Sequence, residues 1–250
     1  YRKIYDCTAQ PWTNLCWSNY TNPDTGYRHG RWEGESSWGP NPIYNAYDVD
    51  LLYDNLGFAD AYVREKFSRN GVNGQGGLGD GTVQPWTTTA GNTYENVFWH
   101  FCPDASFDGS RGITGFCLGA TLIDIVGHEY MHGLPYYTHP PNGMIYSGQS
   151  GALNESQSDV FGELLQLYVT GSTDWIGGAG VPGREEGFRS LIDPPSQIYM
   201  EIGRTAPYPD RMYAEGVYCG WDDNDGVHVN SPIPSKAMYL MAEGGSFNGC

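Results

Sequence analysis

Two stretches in the second half of the chain put polar groups where a helix buries apolar ones, and few arrangements accommodate both. In "ATLIDIVGHEYMHGL", residues 120–134, Asp124, His128 and His132 recur at i, i+4 and i+8 and share one stripe, while Leu122, Ile123, Val126, Tyr130 and Leu134 cover the rest. In "GALNESQSDVFGELLQLYVTG", residues 151–171, Glu155, Asp159 and Glu163 repeat at the same interval among Leu153, Val160, Phe161, Leu164, Leu165 and Leu167. Burying imidazoles and carboxylates costs on the order of several kcal/mol unless they are paired or metal-bound. An acidic seam packed against a histidine seam removes both penalties; an ordinary solvated face is the alternative for the second helix. The first helix is expected to stop at Pro135, and the second to run from near Ser150 to Gly171.

"GHEYMH", residues 127–132, contains H-E-x-x-H, which on a helix turns two imidazoles to one side. Catalytic zinc usually takes three protein ligands and keeps a fourth position open. Glu155 is the candidate third ligand, and Asp159, one turn on, the carboxylate that holds an imidazole N–H. Gly127 and Gly133 each cost this helix about 1 kcal/mol relative to Ala. They predict an inserted loop or a neighbouring backbone packed closer than a Cβ allows.

Residues 1–119 are rich in Gly, Asn, Thr, Tyr and Trp, with alternating runs such as "TYENVFWHF" that read as short strands. One segment departs: across residues 45–67, Val49, Leu52, Leu56, Ala59, Val63 and Phe67 fall at helical intervals, predicting a helix broken or kinked near Gly57. Residues 120–250 read as mainly helical. The chain is therefore expected to be α+β, a β-rich N-terminal lobe (1–119) packed against a helical C-terminal lobe (120–250).

The formal charge of −16, with only 13 Lys plus Arg, excludes an electrostatic grip on nucleic acid or an anionic membrane. No apolar run approaches the roughly 20 residues of a membrane span, and "YRKIYDCTAQ" has no signal-peptide pattern, so a secreted chain would be a mature form. Cysteines at 7, 16, 102, 117, 219 and 250, without C-x-x-C, favour disulfides; the shortest loops pair Cys7 with Cys16, Cys102 with Cys117, and Cys219 with Cys250. Reduced core thiols are the alternative. "GQGGLG" at 74–79 lacks the strand and helix of a dinucleotide site, and "WDDNDGVHV" at 221–229 puts Trp221 at the first ligand position of a calcium loop, so neither is taken as a site. Asn19 and Asn154 lie in N-x-S/T sequons.

"HEYMH", "GALNESQSDVFGE", "RSLIDP" and "DNDGVHVNSPIPSKAMYL", in that order, resemble the thermolysin family of zinc metallopeptidases, nearest its pseudolysin-like bacterial elastases. The resemblance runs from about Asn96 to Glu243. It implies a two-lobed fold with the active site in the cleft between lobes, and one catalytic Zn2+ held by His128, His132 and Glu155. It makes Glu129 the general base that activates zinc-bound water, whose pKa the metal lowers toward about 7. His228 aligns with the transition-state histidine, Asp223 with the carboxylate that orients it, and Tyr146 with a tyrosine that stabilises the oxyanion.

"ENVFW", residues 95–99, resembles the strand on which the family lays its substrate, with Asn96 and the Val97 backbone bonding the peptide; Arg189 matches the arginine on the substrate carbonyl. Phe116, Ile125 and Phe188 would line the pocket beyond the scissile bond, unless they are ordinary core. Asp124, Glu163 and Asp174 match calcium ligands, with Gln166 and the Ile176 backbone as further oxygens; Gly177, Gly178 and Ala179 favour one structural Ca2+ over two. The implied activity is a secreted endopeptidase cleaving peptide or protein substrates before bulky hydrophobic residues. A zinc esterase or amidase, and a metal-stabilised binding protein, are the rival classes.

Two departures bear on the expected architecture. "CPDASFDGSRGITGFC" reads as an inserted, disulfide-closed loop beside the cleft. Family members continue beyond the position of Cys250, so either the catalytic domain is naturally abbreviated or, the favoured reading, a cleaved C-terminal fragment is an expected partner; a prosegment is a second expected partner.

Overall fold

Short strands of the first half assemble into one mixed sheet, here in a computed structural model that describes residues 3–6, 30–32, 36–37, 46–76, 80–84, 105–109, 113–139, 141, 143–199 and 205–248. Its strands are β1 (Lys3–Asp6), β2 (Gly30–Trp32), β3 (Asp80–Gln84), β4 (Ala105–Asp108) and β5 (Ile113–Cys117), in the order β2-β1-β3-β5-β4. The pairs β1–β3 and β3–β5 are parallel, whereas β1–β2 and β4–β5 are antiparallel. Parallel neighbours need a crossover. Helix α1 (Ala46–Phe67) lies in the β1-to-β3 connection and buries Val49, Leu52, Leu56, Ala59 and Val63 with Ile4 of β1.

The expected break near Gly57 does not occur: α1 is continuous. Leu56 and Ala59 are both fully buried, and this packing holds the backbone helical against the glycine penalty of about 1 kcal/mol. The expected inserted loop contains β4 and β5, which pair Phe107 with Thr114, and β5 joins the sheet through β3. Cys117 is disulfide-bonded, the rest of that bridge lying outside the described residues.

Helices α2 (Ile123–Thr138) and α3 (Gly148–Thr170) follow. Helix α2 passes Pro135 by a turn, contrary to the expected stop. Proline lacks only its own N–H, and the Pro135 carbonyl still accepts the His139 N–H at 3.1 Å. Helix α3 ends on Gly171, at φ 82° with its N–H on the Leu167 carbonyl. Val126, Tyr130, Phe161 and Leu165 join the α1 and Phe116 core, so the two helices back directly onto the sheet-bearing half.

Beyond α3 come the antiparallel pair β6 (Ile176–Val181) and β7 (Arg184–Ser190), the pair β8 (Ile198–Tyr199) and β9 (Ala206–Pro207), and helices α4 (Asp222–Asn230) and α5 (Pro232–Glu243). The fold is α+β, with strands concentrated in the first half and helices in the second. No described helix is long and apolar enough to cross a membrane. Cys219 is an exposed free thiol, so the expected Cys219–Cys250 bridge is not formed. The shortest-loop argument weighs chain entropy alone, whereas here two helices separate the positions and their direction decides whether the thiols meet.

Candidate metal centre and cleft

Helices α2 and α3 approach closely because glycines face each other. A Cβ on Gly127 would lie 2.9 Å from Gly162 Cα, and one on Gly162 would lie 2.3 Å from the Asp124 carbonyl oxygen. The neighbouring backbone expected at Gly127 is thus that of α3, not an inserted loop. At Gly133 the close neighbours are the side chains of Val72 and, from β4, Phe107.

The close antiparallel approach sets seam against seam. His128 Nε2 and His132 Nε2 are 3.0 Å apart, and each is 3.3 Å from one oxygen of Glu155. Tetrahedral zinc with bonds of 2.0–2.1 Å has ligand-to-ligand edges of about 3.3 Å, so the three groups converge at the spacing such an ion requires. Glu155 is fully buried, and its Oε2 has no hydrogen-bond partner, an arrangement that fits a cation better than a structural carboxylate. The donor atoms of His128, Glu129 and His132 all lie within 4.8 Å of one another.

The outer ring nitrogens are held as well. Asp159 Oδ1 lies 2.9 Å from His128 Nδ1, and the same carboxylate accepts two bonds from Arg189, at 2.9 and 2.7 Å. Asn154 Oδ1 lies 2.7 Å from His132 Nδ1, with Ser158 Oγ at 3.2 Å. Asn154 is buried, so its sequon is no accessible glycosylation site. Asn154 escaped the sequence reading as a site residue; its signal was the i, i+4 pair it forms with Ser158 beside the acidic seam.

Electrostatics follow from these contacts. Burial opposes charge on His128, but the neighbouring carboxylates of Asp159 and Glu155 hold its pKa up to about 10. Burial, against the pull of Glu155 and with the repulsion of His128, lowers His132 to about 4. Burial resists ionisation of Asp159, yet Arg189 and His128 bring it down to about 2; Glu155 is held well below the usual range by His228, His132 and His128.

Opposite the seam stand Tyr146 and His228. The Tyr146 hydroxyl donates to Glu155 Oε1 and lies 3.3 Å from His228 Nε2. Burial, then the Glu155 charge, raises the Tyr146 pKa. His228 Nδ1 is 2.5 Å from Asp223 Oδ1, and Asp223 Oδ2 accepts the His228 N–H at 2.9 Å. Burial opposes the charged form of His228, but Glu155 and then Asp223 raise it to about 9. The turn that aims His228 is left-handed over Asp223, Asn224, Asp225 and Gly226, with φ from 48° to 80°. Asp, Asn and Gly are the residues that tolerate this region, which accounts for the "DNDG" run without a calcium loop.

His128, His132, Tyr146, Asp159 and His228 line a cleft of about 770 Å³, together with Glu129, Ile125, Phe188 and Arg189. Phe116 does not line it: only 1 % exposed, it belongs to the core. Asn96 and Val97 lie outside the described residues.

At the far end of the seam, Asp124 Oδ2 accepts the Gly178 N–H at 2.6 Å, Glu163 accepts the Thr173 hydroxyl, and Asp174 Oδ1 accepts the Ile176 N–H at 2.9 Å. Glu163 Oε1 and Gln166 Oε1 are buried without partners. Burial pushes Asp124 up to about 6, Asp174 adding to it against the Gly178 bond, and pushes Glu163 up to about 8, with Asp124 and Asp174 adding to it against the Thr173 bond.

The chain resembles known proteins over most of its length. The family profile described as thermolysin metallopeptidase, catalytic domain, matches residues 6–135, and that described as thermolysin metallopeptidase, alpha-helical domain, matches residues 142–250. Bacillolysin of Bacillus cereus is 35% identical over 212 residues, covering 84% of this chain and 34% of the relative. An extracellular metalloprotease of Pectobacterium carotovorum subsp. carotovorum is 37% identical over 204 residues, covering 78% of this chain and 54% of the relative. The solved precursor of protealysin, a metalloproteinase from Serratia proteamaculans, superposes with a TM-score of 0.66 at 30% identity, covering 96% of this chain and 68% of that one. The chain thus spans about a third to a half of the length of these two curated relatives.

Proposed function

Because the chain belongs to the thermolysin family of metallopeptidases and shares its two-lobed fold, we propose that it is a zinc-dependent endopeptidase with His128, His132 and Glu155 as the metal-holding residues. The observation that carries this reading is the convergence of those three groups at 3.0–3.3 Å, with Oε2 of the buried Glu155 carboxylate lacking a hydrogen-bond partner. Zinc, when bound, polarises a carbonyl and lowers the pKa of a water at its open position.

The chain's own groups supply the rest. Glu129, on the cleft wall beside the two histidines, takes the proton of the attacking water and delivers it to the leaving amine. Asp159 and Asn154 occupy the Nδ1 positions of His128 and His132, so both rings present Nε2 inward. Asp223, bonded to His228 Nδ1, likewise turns His228 Nε2 toward the Tyr146 hydroxyl; together they stabilise the developing oxyanion. Arg189, anchored on Asp159, faces the cleft where a substrate carbonyl can reach it. Ile125 and Phe188 form an apolar wall for the side chain that follows the cleaved bond, favouring bulky hydrophobic residues there. Asn96 and Val97 are proposed as substrate-strand contacts on the family pattern alone.

One structural Ca2+ is proposed at Asp124, Glu163, Gln166, Asp174 and the Ile176 carbonyl. Its support is two unpartnered buried oxygens and two carboxyls with raised pKa values. Secretion is supported by the relative named as extracellular, and a prosegment partner by the solved relative being a precursor. The test is hydrolysis of a peptide with Phe or Leu after the scissile bond. Cleavage abolished by a zinc chelator and by Glu129→Ala is expected, and chelator-insensitive cleavage overturns the reading.

A further inference from the structure

The outer wall of the same cleft carries a cation that the reaction above does not use. Arg184, the first residue of β7, is exposed and lines the cleft with Phe188, its guanidinium carbon 5.1 Å from the Phe188 ring centroid. A guanidinium over a ring face is held by the ring's quadrupole while its N–H donors stay available. The ring is itself fixed. Gly178, at φ 76°, has no Cβ, and one placed there would fall 2.1 Å from Phe188 Cδ2, so the ring lies against the β6 backbone.

The charge is uncommitted. The cleft's other arginine, Arg189, is paired with Asp159, whereas Arg184 makes no ion pair among the described residues. Its neighbour Glu185 accepts the Gly183 N–H at 2.9 Å. In a chain of net charge −16, with Glu185 and Glu186 next in sequence, Arg184 is a cation stacked on the proposed specificity wall.

Resting on the endopeptidase reading, we infer that Arg184 is a specificity-determining residue that selects a carboxylate immediately after the apolar residue held by Ile125 and Phe188. The planar fork accepts a carboxylate through two parallel N–H bonds, and the ligand is either an Asp or Glu side chain or the free C-terminus of a short peptide. Because the site is solvent-facing, the gain is modest and falls with added salt.

The experiment uses C-terminally amidated peptides with Phe after the scissile bond, followed by Glu or by Gln, and a third that ends in a free carboxylate directly after Phe. The expected ratio of kcat/KM, Glu over Gln, is about 2–5 in low salt, falling to about 1 in Arg184→Gln and below 1 in Arg184→Glu. Ratios are read within each protein, so a general loss of activity cannot imitate the effect. A free-carboxylate peptide that shares the preference adds the chain terminus as a source, and one that does not restricts the source to side chains. Equal cleavage of the Glu and Gln peptides, or a preference that survives Arg184→Gln, overturns the role of Arg184 and leaves the endopeptidase reading intact. Absence of chelator-sensitive cleavage of every peptide overturns both.

Discussion

The α2–α3 seam has two ends, built on the same helices and the same i, i+4, i+8 spacing, and they differ in their counterions. At one end, His128, His132, Arg189 and His228 surround Glu155 and Asp159, and both carboxylates are held below their usual range. At the other, Asp124, Glu163 and Asp174 face one another, and Asp124 and Glu163 rise to about 6 and about 8. Burial acts on all four carboxylates in the same direction, so the opposite outcomes come from the partners. One end is a polarised site with its charges matched by side chains, whereas at the other no ion pair to Asp124, Glu163 or Asp174 forms among the described residues and two buried oxygens have no donors.

The largest expected effect separates chemistry from stability at the first end. Glu129→Ala is expected to lower kcat by about 10²–10⁴-fold, with little change in the thermal midpoint, in peptide hydrolysis and calorimetry run side by side. A drop in the midpoint that accounts for the lost activity would break the assignment. Next, Asn154→Leu removes the acceptor for His132 Nδ1, and zinc titration of the purified protein is expected to show affinity weakened about 10–100-fold. Unchanged affinity would reduce Asn154 to a packing residue.

The helix approach that creates both ends can be tested by adding a methyl group. Gly162→Ala places a Cβ 2.3 Å from the Asp124 carbonyl and Gly127→Ala one 2.9 Å from Gly162 Cα, both against backbone that cannot swing away. Overpacking of about 1–3 kcal/mol exceeds the helix-propensity gain of about 1 kcal/mol. Denaturant unfolding is therefore expected to show both destabilised, Gly162→Ala the more.

The smallest effect is the pH response of the second end. Asp124 and Glu163 bind protons more tightly folded than unfolded, so the stability they contribute is complete below their ordinary values of 3.8 and 4.5. It is lost as pH rises through about 6 and about 8. In a calcium chelator the thermal midpoint should fall across that interval, and excess Ca2+ or Glu163→Gln should flatten the fall. A midpoint insensitive to both would remove calcium from this end.

Both polar stripes were legible in the sequence because a helix repeats every 3.6 residues, and any residues at i, i+4 and i+8 share a face once the segment is helical. The same rule identified the apolar face of α1. It did not anticipate an unbroken α1 through Gly57 or a helix continuing past Pro135, and it left Phe116 open between pocket and core, since each depends on what packs alongside. Asn154 was visible only as a sequon, because its partner His132 lies 22 residues away along the chain.

The sequence by itself determined which side chains travel together on α2 and α3, and hence that each helix carries a strip of charge needing an answer. Only the tertiary structure decided which strip answers which: that Glu155 meets both histidines, that His228, held by Asp223, comes to Tyr146 across 82 residues, and that Arg184 rests on Phe188. Helical periodicity is local and independent of the neighbours, whereas the approach of two helices and the aim of a left-handed turn depend on contacts between residues far apart in the chain.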